Sequence, residues 1–86
     1  MPMETKENNE PLAAQKLTLN ELLLKEYLVG LTHSNPKVRR KAAHGIGALG
    51  GLGAKATPLL ETLLTDRDRK VREAAKEALE NLRSSS

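Results

Sequence analysis

Asn35-Pro36-Lys37-Val38-Arg39 returns 33 residues later as Asp68-Arg69-Lys70-Val71-Arg72, and this recurrence decides how the chain is expected to fold. Each copy opens with a short polar side chain that can accept a hydrogen bond from a free N–H at the start of a helix. In the first copy proline follows, at the helical position where its missing N–H costs nothing. The same shift places Leu31 on Leu64, Thr32 on Thr65, Ala42 on Ala75, Ile46 on Leu79 and Leu49 on Leu82. A period of this length marks arrays whose unit is a pair of helices.

Working outward, Thr18-Leu19-Asn20-Glu21 reads as a capping box that opens a helix before the first copy. Leu23, Leu24, Tyr27, Leu28 and Leu31 then form one apolar stripe at helical spacing. Asn35-Pro36 starts a second helix whose inward residues are Val38, Ala42, Gly45 or Ile46, and Leu49, and Gly50-Gly51-Leu52-Gly53 is expected to stop it. Thr57-Pro58 starts a third helix by the same cap-and-proline device, carrying Leu59, Leu60, Leu63 and Leu64. Asp68 caps a fourth, with Val71, Ala75, Ala78, Leu79 and Leu82 inward. The expected fold is therefore all-α, two helical hairpins in a short α-solenoid. Residues 18–83 form the repeat domain, with unit one at about 19–50 and unit two at about 57–83. Residues 1–17 are read as a flexible tail and 84–86 as a disordered end.

Composition agrees. The 86 residues contain one aromatic, Tyr27, and no cysteine, and the apolar set is mainly Leu and Ala, which favour helices over strands. Without cysteine there is neither a disulfide framework nor a thiolate metal site. No run approaches the ~20 apolar residues of a membrane span. The expectation is a soluble, cytoplasmic chain with no membrane contact. A net charge of +3 permits an anionic partner without requiring one.

The motif Val-Arg-x-x-Ala, an apolar residue and Gly, then Pro-Leu-Leu and an Asp before the next Val-Arg, resembles HEAT repeats. The resemblance is closest to the short HEAT-like class of phycobilisome lyase subunits. The residues that carry it are Asn35 to Arg39, Ala42-Ala43, Ile46-Gly47 and Leu49-Gly50, then Pro58-Leu59-Leu60, Leu63-Leu64, Asp66, Asp68, Val71-Arg72, Ala74-Ala75 and Leu79. The resemblance implies structural roles for Pro36, Pro58, Arg39, Asp66 and Arg72, with an Arg–Asp ladder between neighbouring units. His33 stands where the first unit would carry its ladder Asp, so the ladder is expected to stop there. It also implies that the second helix of each hairpin lines the concave, partner-binding face. That places Lys37, Arg40, Lys41 and His44 beside Lys70, Glu73, Glu77 and Asn81.

Other candidate sites are weaker. Gly45 to Gly50 spells G-x-G-x-x-G, but a helix start precedes it where a dinucleotide fold needs a strand, so the glycines are read as close-packing and stop signals. His33 and His44 lie on different elements with no third ligand, so no metal and no cofactor are expected. No nucleophile–base spacing suggests catalysis, and the chain is read as a non-enzyme. Lys37, Arg39, Arg40 and Lys41 put positive charge where the helix dipole prefers anions. This is a solvated face, an anion site, or a contact for an acidic partner or nucleic-acid backbone. The leading function is a protein-interaction module, an adaptor or assembly factor. The alternatives are an accessory protein of phycobilisome or bilin-lyase type and a binder of nucleic-acid backbone. Two units bury little, so either Leu12, Leu17, Leu19 and Leu22 fold back over the open side, or the chain stacks on a partner or on itself as a homodimer.

Overall fold

A computed structural model of the protein describes residues 17–84, and these are all-α. Helix α1 spans Leu19–Gly30, α2 Pro36–Ala48, α3 Thr57–Thr62 and α4 Arg69–Ser84. The caps of α1, α2 and α4 are those the sequence announces. The Glu21 N–H donates to Thr18 Oγ1 at 3.1 Å, and the Thr18 N–H donates to Glu21 Oε1 at 2.8 Å, so the capping box is complete. Asn35 Oδ1 accepts from the Lys37 N–H at 2.9 Å, and Asp68 Oδ1 from the Val71 N–H at 3.0 Å.

Two expectations need correction. The glycine run does not simply end α2. Gly50 takes φ 65°, a left-handed turn open to glycine, and the chain then continues as a 3₁₀ segment, Gly50–Ala56. That segment runs into α3, so Ala56 occupies the N-cap position and Thr57 is already helical, with no side-chain cap. The reason is burial: Gly53 and Ala56 are pressed into the core and Leu52 packs against it, which favours a tight coil over a looser loop. The α4 helix also extends to Ser84, one residue past the expected boundary, its hydroxyl donating to Glu80 O at 3.0 Å.

The core gathers Leu24, Leu31, Ile46, Leu60, Leu63, Val71 and Leu82 with five alanines of α2 and α4, and it includes no polar side chain among the described residues. Its main seam lies between α2 and α4, so the two hairpins share one core. Small residues let that seam close. A Cβ added to Gly47 would fall 2.9 Å from Ala78 Cα. On the other side of α2, the Tyr27 ring lies over Gly45 and occupies the space a Cβ would need. The expected fold-back of the N-terminal side is not seen where it can be checked, because Leu17, Leu19 and Leu22 are exposed. Leu12 and the remainder of the predicted tail lie outside the described residues.

Candidate functional site

Because α2 and α4 lie side by side, their outward residues meet along a shallow groove. At one end Pro36, Lys37 and Arg40 of α2 face Asp68, Arg69 and Lys70. Further along, Arg40 and His44 face Lys70, Glu73, Ala74 and Glu77. The first end is basic because Lys37, Arg40 and Lys70 form no ion pair among the described residues. The far end is mixed: His44 Nδ1 lies 3.4 Å from Glu77 Oε1 across the groove, and Arg69 Nε donates to Glu73 Oε2 at 3.3 Å. Six of the eight residues expected on the binding face thus line one groove. Lys41 and Asn81 do not. Both are exposed, but Lys41 lines neither part, and Asn81 lies beside Gly47.

The second construction is the pair of inter-helix turns. Arg39 Nη1 donates to the carbonyls of His33 and Ser34, at 2.7 and 3.0 Å. Its Nε and Nη2 donate to the two carboxylate oxygens of Asp66, at 2.9 and 3.1 Å. One guanidinium therefore ties its own turn to the next unit with both edges of its fork, a geometry Lys cannot reproduce. In unit two, Arg72 Nη1 repeats the first half, donating to Asp66 O at 2.8 Å and Arg67 O at 3.2 Å. Asp66 also accepts from the Asp68 N–H at 2.8 Å, and His33 Nδ1 does the same for the Asn35 N–H at 2.9 Å. His33 thus supplies the turn-forming half of the aspartate's role without its charge. Burial acts to raise the pKa of Asp66. The Arg39 and Asp68 hydrogen bonds and the charges of Arg39 and Arg67 outweigh it and hold the carboxyl below its ordinary value.

The family model for HEAT repeats matches residues 20–85. The chain belongs to the HEAT-repeat family. No curated protein and no solved structure matches it. The match speaks for HEAT repeats at large and does not single out the phycobilisome-lyase class.

For a HEAT pair, the remaining candidate motifs take structural parts. The G-x-G-x-x-G run lies on α2 and its turn, where its glycines meet Tyr27 and Ala78 and open no phosphate loop. Pro36 starts α2, and Pro58 sits in the first turn of α3. Among the described residues no cluster of three His, Cys, Asp or Glu could hold a metal ion, and no helix is long and apolar enough to cross a membrane. Reading the sequence missed one feature, a cleft between the two turns, walled by His33, Ser34, Arg67 and Asp68 with the Arg39–Asp66 pair at its base. The signal was present: a 33-residue register places turn 32–35 beside turn 65–68.

Proposed function

We propose that this HEAT pair is a non-catalytic protein-binding module that holds a short acidic segment of a partner in the basic half of the α2/α4 groove. The observation that carries the reading is the convergence of Lys37, Arg40 and Lys70, which have no ion-pair partner among the described residues, at the N-terminal ends of two helices. Cations gathered without a counter-charge favour carboxylates there. Glu73 and Glu77 occupy the other half. They would repel a nucleic-acid backbone laid along the whole groove, which favours a short acidic peptide over a polyanion.

The test is titration of a fluorescently labelled peptide of alternating Glu and Leu, with duplex DNA as a parallel probe. Replacing Lys37, Arg40 and Lys70 with Glu should weaken peptide binding at least about tenfold, since like charges then face one another. Helicity by circular dichroism should not change. Unaltered peptide affinity in that variant would sink the proposal. DNA bound more tightly than the peptide, with steep salt dependence, would turn the assignment to nucleic acid.

A further inference from the structure

Helix α1 is apolar on two sides. Its inner side, Leu24, Leu28 and Leu31 with Tyr27, is used in the core. Its outer side carries Leu22 at 49 % and Val29 at 70 % exposure, with Lys25 and Glu26 between them and Leu19 at 72 % on the rim. Large apolar side chains exposed together on one helix face, rimmed by charged ones, mark a surface that a partner covers.

Stacking of HEAT units does not supply that cover. Shifted by 33, Leu22, Lys25, Glu26 and Val29 correspond to Lys55, Pro58, Leu59 and Thr62 of unit two. All four are exposed although unit one precedes them, so a neighbouring unit leaves this side of the array open. Nor does the repeat demand apolar residues there, since unit two has Lys55 and Thr62 where unit one has Leu22 and Val29.

The geometry points to a second copy of this chain as the occupant. Laid antiparallel about a two-fold axis between residues 25 and 26, the α1 surface is complementary to itself. Leu22 of each copy meets Val29 of the other, and Lys25 of each meets Glu26 of the other. Leu19 falls over Thr32, which is also exposed. A closed two-fold contact requires this reciprocity, in which residue i meets j and j meets i. The helix is only about 18 Å long at 1.5 Å per residue, so the contact is smaller than a standard interface and the dimer is weak, with Kd on the order of 100 µM. This face shares no residue with the α2/α4 groove, so either reading can fail without the other.

Sedimentation equilibrium of the full chain from about 10 µM to about 1 mM tests it, a range that brackets the expected Kd. Mass should rise from monomer toward dimer. Leu22→Asp and Val29→Asp should each hold the protein monomeric with unchanged circular dichroism, because neither side chain is in the core. Lys25→Glu sets glutamates against each other across the axis and should weaken the dimer about tenfold. Adding Glu26→Lys to it should restore association. A monomer at every concentration overturns the inference, whether residues 1–16 cover the face or nothing does. So does a dimer indifferent to Leu22→Asp, or one that the double exchange fails to restore.

Discussion

Arg39 is the residue on which the two hairpins most visibly depend for orientation. Four hydrogen bonds converge on it, two to its own turn and two to Asp66, in a mostly buried setting. Arg39→Ala leaves Asp66 without its counter-charge and two turn carbonyls without donors. It should cost on the order of 3 kcal/mol, read as a lowered urea midpoint. Arg39→Lys should recover only part of the loss, because a point charge cannot serve both edges. The pH dependence follows from Asp66. Its folded pKa lies below the unfolded value near 3.9, so its contribution is fully present above that value and is lost as pH falls through the folded one. Acid titration of stability should therefore fall less steeply below about pH 4 in Asp66→Asn than in the parent. This pair was legible only through the resemblance to HEAT repeats: 27 positions separate the partners, and no local pattern links them.

Among the elements, α1, α2 and α4 could be read because their start signals are local, with a capping side chain two or three residues from the N–H it serves. The start of α3 could not, because what sets it is the burial of Ala56 and Gly53 against residues far away in sequence. Thr57-Pro58 looks like Asn35-Pro36 on paper but is reached from a 3₁₀ segment that has already coiled. Asn35→Ala should therefore cost about 1 kcal/mol, and Thr57→Ala almost nothing. The α2–α4 seam makes a sharper demand. Gly47→Ala gains up to about 1 kcal/mol in helix propensity, but its methyl meets the Ala78 backbone, which cannot swing aside. Overpacking of about 1–3 kcal/mol should win, and Gly47→Val should lose more, both visible in thermal melts. Six of the eight residues expected on the binding face line the groove, because helical spacing sets which side chains share a face. Lys41 sits at the margin of that arc, and Asn81 shares the face but lies further along α4, beside Gly47, where the groove has ended.

At the scale of the molecule the units are not interchangeable. Leu31 is 1 % exposed and its counterpart Leu64 40 %, because unit two covers the first and no described residue covers the second to that extent. Ala43 and Gly47, which let α4 approach α2, correspond to Lys76 and Glu80, which are exposed. Neither unit has a core of its own: Leu31 and Ile46 come from one, Leu60 and Val71 from the other. A peptide of residues 57–84 should show little helix by circular dichroism, and the whole chain should unfold in one transition. This asymmetry could not be read from the repeat, which aligns what the units share and is silent on what each must do differently.

Tyr27 has a consequence of a different kind. It is the only aromatic side chain in the chain, and its ring rests on Gly45, against the backbone of the neighbouring helix. The molecule therefore carries a single ultraviolet chromophore at the seam between α1 and α2. Its near-ultraviolet circular dichroism and its intrinsic emission report the closure of that one hairpin, with no label and no competing signal.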